Sequence, residues 1–127
     1  MTFKYHHLHL ICSDLEQMIG FFSETLGATV VVRRKFATAD GATLDLNGIT
    51  INIRVASEDE GVLEDASQTR CGFHHLGLEV EDVNKAHSQL VDKGFTFTIQ
   101  PTDVGKVRIA FFKGPDNIII ELIQSLQ

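Results

Sequence analysis

The 127-residue chain has no tryptophan, one tyrosine, two prolines and two cysteines, and each shortage excludes something. So few prolines, with 43% hydrophobic residues, rule out a proline-rich or disordered chain and leave a compact globular one. Cys12 and Cys71 form neither a CxxC pair nor a zinc-type spacing. A disulfide framework is therefore excluded, and a reducing cytoplasm is the expected compartment. Basic residues are outnumbered, giving a formal net charge of −6 and a pI near 5.4. A nucleic-acid partner is not expected, because binding a phosphate backbone needs a basic stripe. No apolar run reaches the ~18 residues of a membrane span, and Met1 to Tyr5 leads straight into histidines without a signal-peptide core. Neither a membrane partner nor a secretory signal is expected. Gly114-Pro115-Asp116-Asn117 precedes a strand rather than a helix, so it is a turn and not a phosphate-cradling loop.

What the chain does have is a repeat. His6-His7-Leu8-His9-Leu10 with Asp14-Leu15 returns as His74-His75-Leu76-Gly77-Leu78 with Asp82-Val83, at an offset of 68 residues. A duplicated unit with a histidine at the same place in each copy can bring two imidazoles to one centre. Half of the chain would be marginal alone, so the two halves belong to a single domain, residues 1–127. The first module is 4–56, the second 72–125, and the polar stretch 57–71 reads as a surface linker.

Each module reads β-α-β-β-β. Alternation from Tyr5 to Ile11 predicts a strand. Ser13 and Glu16 then suggest a capping box for a helix of three to four turns, whose apolar stripe is Leu15, Met18, Ile19, Phe22 and Leu26 before Gly27. Strands follow at Ala28–Phe36, Thr43–Leu46 and Thr50–Val55, with turns at Asp40-Gly41 and Asn47-Gly48. The second copy offers strands at 73–80, 95–99, 107–112 and 118–123 and a helix marked by Val83, Ala86, His87, Leu90 and Val91. The expected class is α+β, with paired modules whose sheets curl around a shared cleft.

Strand parity sorts the candidates. Leu8, Leu10, Leu76, Leu78 and Val80 form the uniformly apolar set and should face the helices. His7, His9, His75, Gly77 and Glu79 then face the other way, toward the cleft, whereas His6 and His74 read as structural residues or helix-side contacts. Glu121 lies in the apolar run Ile118-Ile119-Ile120-Glu121-Leu122-Ile123, where an unpartnered carboxylate would be costly to bury. Two imidazoles, His7 and His75, and the Glu121 carboxylate make an N,N,O set suited to a divalent transition metal with open positions for substrate. His9 has two readings, a general acid or base and a hydrogen-bonded shaper of the pocket. Arg54 is placed to hold an anionic substrate group through paired hydrogen bonds, with Arg108, Arg33 and Lys106 as weaker candidates. Phe21, Phe22, Phe73, Phe111 and Phe112 are assigned to core or cavity walls, Phe112 among them to the substrate.

These stretches, with Phe21-Phe22, Leu26-Gly27 and Phe111-Phe112-Lys113-Gly114-Pro115-Asp116-Asn117 through Glu121, resemble the vicinal-oxygen-chelate superfamily over nearly the whole chain. Glyoxalase I, methylmalonyl-CoA epimerase, extradiol dioxygenases and fosfomycin-resistance enzymes belong to it. The resemblance implies paired β-α-β-β-β modules around a metal, with His7, His75 and Glu121 as ligands and Asn52 at the remaining ligand position. Asn52 is a departure, because glyoxalase I has a glutamate there and the epimerase a glutamine. It either ligates through its amide oxygen or leaves three protein ligands. The implied cofactor is a divalent ion (nickel, cobalt, zinc, manganese or iron), the implied assembly a homodimer, and the implied substrate a small molecule such as a glutathione or CoA conjugate. The nearest activity is a lyase or isomerase of the glyoxalase I type, with Glu121 and His9 as catalytic groups. An epimerase, an extradiol dioxygenase, a fosfomycin-type transferase and a non-catalytic antibiotic-binding protein are the alternatives.

Overall fold

A computed structural model describes residues 1–62 and 71–127, and the chain divides into two compact units, Met1–Val62 and Leu63–Gln127. Part of the expected linker, 63–70, lies outside the described residues. Both units have the same α+β plan. The first runs β1 (Leu8–Cys12), α1 (Leu15–Gly20), a π-helical turn (Phe21–Thr25), β2 (Thr29–Phe36), β3 (Ala39–Leu46) and β4 (Ile49–Val55). The second runs β5 (Leu76–Glu79), α2 (Val83–Asp92), β6 (Phe97–Val104), β7 (Val107–Lys113), a single 3₁₀ turn (Pro115–Asn117) and β8 (Ile119–Ser125). The sheets have the orders β1-β4-β3-β2 and β5-β8-β7-β6. In each, the first strand pairs parallel with the last and the other pairings are antiparallel. The helix is the crossover that a parallel pairing requires.

Register turns the sequence alternation into two faces. On one face of the first sheet, Leu8, Ile51 and Leu44 form a row, and Leu10, Ile53 and Ala42 the next. Met18, Ile19, Phe21 and Phe22 are buried with them, as α1 packs on β3 and β4. The second unit repeats this with Leu76, Ile120, Phe112 and Phe97, then Leu78, Leu122 and Ala110, beneath Val83 and Leu90 of α2. Burying side chains of this size stabilises a fold by about 1.5–3 kcal/mol each, before the entropy cost of ordering the chain.

Several local expectations are corrected. Strand pairing begins at Leu8 and Leu76, so His6, His7, His74 and His75 precede their strands. The helix cap is Asp14, whose carboxylate accepts from the Gln17 N–H at 3.0 Å, and not Ser13. Asp82 does the same for Lys85 at 3.0 Å, so the repeat extends to the caps. The β2–β3 turn falls at Ala37-Thr38 rather than Asp40-Gly41, which lie inside β3. Asn47-Gly48 does form the hairpin turn, with φ of 48° and 93° as a type I′ turn requires. Phe73 is fully exposed rather than a core or cavity wall. Among the described residues, no helix is long and apolar enough to cross a membrane.

Candidate functional site

The face opposite each helix carries the polar residues. In the second unit, the row across the sheet is Gly77, Glu121, Phe111 and Ile99. His75, one residue before β5, turns its ring onto the same row. Its Nε2 stands 3.3 Å from Glu121 Oε1, and its ring meets Phe111 edge-on at 4.9 Å between centroids. The side chains of His75 and Glu121 are 30% and 18% exposed, so the pair is sheltered yet reachable. The imidazole thus supplies the partner that a carboxylate in an apolar strand needs. Gly77 puts no side chain beside the carboxylate, where even a Cβ would come within 3.4 Å of Oε1.

Beside each inward histidine stands its neighbour. His74 Nδ1 and His75 Nδ1 are 2.8 Å apart, and His6 Nδ1 and His7 Nδ1 are 2.9 Å apart. One ring of each doublet donates and the other accepts. His6 and His74 therefore contact the histidines next to them, not the helix side. Sequence parity missed this, because alternation holds only once strand pairing has begun.

The corresponding row of the first unit is His9, Asn52, Thr43 and Val32. Asn52 is buried, at 9% exposure, and its Oδ1 accepts from Thr43 Oγ1 at 2.7 Å. His9 sets its ring edge-on to Phe36 at 4.8 Å and lies 6.5 Å from the His7 ring. Burial, then the Arg54 charge and then His7, lower the His9 pKa below its ordinary value. Each of these effects favours the neutral form of the His9 imidazole. Phe36 in turn lies over Gly41, where a Cβ would collide with that ring and with the Ile53 carbonyl, and the Arg34 guanidinium lies 4.6 Å from the centre of the Phe36 ring.

The substrate candidates have other occupations. Arg54 directs both guanidinium nitrogens at Glu60, at 2.7 and 2.8 Å, and Glu60 also accepts from the Ser57 N–H and hydroxyl. These bonds hold the Glu60 carboxyl far below the usual carboxylate range. Arg108 donates to Asn84 and Asp103, and Arg33 to Glu16. Phe112, expected at the substrate, is fully buried against Phe95 and Phe97. The ring on the polar face is its neighbour Phe111, a choice that the β7–β8 register decides and the sequence alone does not.

The donor chemistry of His75 and Glu121 fits a divalent ion. Two ligands each about 2.1 Å from one ion, at tetrahedral or octahedral angles, stand roughly 3.0–3.4 Å apart, the separation these two atoms have. Among the described residues, no group of three or more His, Cys, Asp or Glu side chains is gathered this way. His75 and Glu121 are a pair.

The family model described as the Glyoxalase/Bleomycin resistance protein/Dioxygenase superfamily matches residues 4–122. The uncharacterized protein YwkD of Bacillus subtilis is 30% identical over 122 residues, 94% of each chain. A probable lactoylglutathione lyase of Vibrio cholerae is 27% identical, covering 95% of this chain and 90% of its own. The lactoylglutathione lyase GLX1 of Arabidopsis thaliana is 28% identical over 95% of this chain, which spans only 44% of that relative's length. Among solved structures, a glyoxylase/bleomycin resistance protein/dioxygenase domain from Frankia superposes with a TM-score of 0.81 at 25% identity, covering 98% of this chain and 99% of that one. The fosfomycin resistance protein FosX of Listeria monocytogenes, complexed with Mn(II) and sulfate, superposes at 0.76 with 17% identity over 98% and 94% of the two chains, a likeness of fold.

Proposed function

Because the chain belongs to the glyoxalase/bleomycin resistance protein/dioxygenase superfamily, we propose that it is a divalent-metal-dependent lyase or isomerase of the glyoxalase I type, acting on a hemithioacetal or thioester of a small thiol such as glutathione. The observation that carries this reading is the His75 Nε2 and Glu121 Oε1 pair, 3.3 Å apart. Relatives named lactoylglutathione lyase that align over most of this chain support it.

His75 and Glu121 would hold the ion, and His7 is the further ligand expected from the sequence. When bound, such an ion supplies Lewis-acid polarisation of a substrate carbonyl. The chain supplies the proton chemistry. A Glu121 carboxylate oxygen takes the proton from the substrate carbon next to the carbonyl and returns it to the neighbouring carbon, so the reaction is an isomerisation that needs no oxidant or reductant. His74 holds the His75 ring by its Nδ1, leaving Nε2 directed at the carboxylate. Phe111 lies against the His75 ring and limits its motion. His9 is the other catalytic group expected from the sequence, and within its own unit its ring is braced on Phe36.

The test is turnover of the methylglyoxal–glutathione hemithioacetal by protein loaded separately with nickel, cobalt, zinc, manganese or ferrous iron. S-lactoylglutathione should form with at least one ion, and Glu121→Gln should lower kcat by about 10²-fold or more, as loss of an acid–base group does. Turnover of none of the loaded forms, or an unchanged rate in Glu121→Gln, would overturn the reading. Parallel assays with methylmalonyl-CoA, a catechol with oxygen, and fosfomycin would show which other chemistry the site performs.

A further inference from the structure

In a sheet with a helix on one face, alternation normally gives polar residues to the other face. The first unit keeps to this, since Gly41, Thr43, Thr50 and Arg54 share a face with Asn52, away from α1. The second unit does not. The matching positions hold Ile109, Phe111, Ile119 and Ile123, which share a face with Glu121, away from α2. All four are half-buried, whereas Ala110, Phe112 and Leu122 on the helix side are closed off. Ile99 joins that face by pairing with Phe111, and it is 43% exposed.

These apolar residues are ordered about the reactive pair. His75 reaches Glu121 from the Ile119 side of its row, because Leu76, the next residue, pairs with Ile120. Gly77 leaves the β5 side of the carboxylate without a side chain. On the side away from His75, the neighbouring row is Glu79, Ile123, Ile109 and Thr102. Rows on one face are about 7 Å apart, two residues along a strand. A substrate whose reacting carbons lie over Gly77 and Glu121 therefore touches Ile109 and Ile123 only if its remaining substituent is as long as a ring or a branched chain. A methyl group stops short of them.

Resting on the glyoxalase-type reading above, we propose that the second unit selects substrates whose carbonyl carries a bulky apolar substituent, aryl or branched alkyl, with Ile109 and Ile123 as the specificity-determining residues. Sites for small molecules are mostly apolar with a few placed polar groups, and His75 and Glu121 supply the polar part here. A single methylene held against such a wall is worth about tenfold or more in discrimination. A methyl ketoaldehyde is accordingly a poorer substrate than an aryl one.

Binding and turnover test this separately. Acetohydroxamate and benzohydroxamate offer a metal the same two oxygens and differ only in a methyl against a phenyl group. In calorimetric titration of the nickel-loaded protein, benzohydroxamate should bind about tenfold or more tighter, after correction for the ratio of the two on free nickel. Ile109→Thr and Ile123→Thr, which keep the β-branch, should each cut that preference by about threefold or more, while the nickel Kd stays within about twofold of wild type. In turnover, kcat/KM for the phenylglyoxal–glutathione hemithioacetal should exceed that for the methylglyoxal one by about tenfold or more, and the ratio should fall in both variants. Equal corrected affinities of the two hydroxamates, or a phenyl preference unchanged in both variants, would overturn the proposal. A wild type that binds no nickel, or binds it no better than His75→Ala does, would instead overturn the metal-site reading, and the proposal with it.

Discussion

His74 and His75 share one hydrogen bond between their Nδ1 atoms, and that single contact links a solvent-side ring to the proposed ligand. For His75 Nε2 to offer its lone pair to a metal, the proton of that ring must sit on Nδ1, where His74 can accept it. His74→Ala is therefore expected to weaken divalent-ion binding by about tenfold, read by calorimetry, while thermal unfolding changes little. Arg54 and Glu60 give a second residue-scale outcome. Hydrogen bonds from Arg54, then the Ser57 backbone and hydroxyl, lower the Glu60 pKa from its ordinary value of 4.5. A carboxylate with a depressed folded-state pKa stabilises the fold fully above its unfolded-state pKa and loses that contribution as pH falls below it. Wild type should thus exceed Glu60→Gln in stability at pH 7, and the difference should shrink on acidification below about pH 4.5, followed by urea denaturation across pH. Neither contact was legible in the sequence. The histidine doublets form because each strand starts three residues later than its alternation suggests, at Leu8 and Leu76, and Glu60 lies in a stretch whose composition reads only as polar linker.

At the scale of elements, the sequence signals that survived are those with a local physical cause. Asn47-Gly48 turns β3 into β4 because both residues tolerate positive φ. Asp14 and Asp82 cap their helices by accepting from the N–H three residues on. The sequence reading placed the first cap at Ser13, one residue too early for the first turn. Replacing either aspartate by alanine should cost about 1 kcal/mol in urea unfolding, with similar effects in the two units because the contacts match. The misplaced β2–β3 turn has a tertiary cause. Asp40-Gly41 has turn composition, yet Gly41 is required within β3 because the Phe36 ring and the Ile53 carbonyl leave no space for a Cβ. A glycine needed for close approach is indistinguishable in sequence from one needed for a turn. The same holds for Phe111 and Phe112, adjacent rings whose faces only the pairing with Glu121 and Ile120 assigns.

For the whole molecule, the repeat was the legible part, and it carried through strand order, helix caps, histidine doublets and the apolar rows of both sheets. Duplication explains why so much could be read: each copy tests the other, and a feature present twice is seldom accidental. The differences between copies were legible only as substitutions. Asn52 against Glu121 appeared as a lost carboxylate, and the structure gives it a chemical sense, an amide with its oxygen held by Thr43. The central claim is that His75 and Glu121 bind a divalent ion. Titrating nickel into metal-free wild type and Glu121→Gln tests it most directly. One ion per chain bound by wild type, with at least tenfold weaker binding by the variant, is the predicted result. Equal affinity in the two proteins would contradict it.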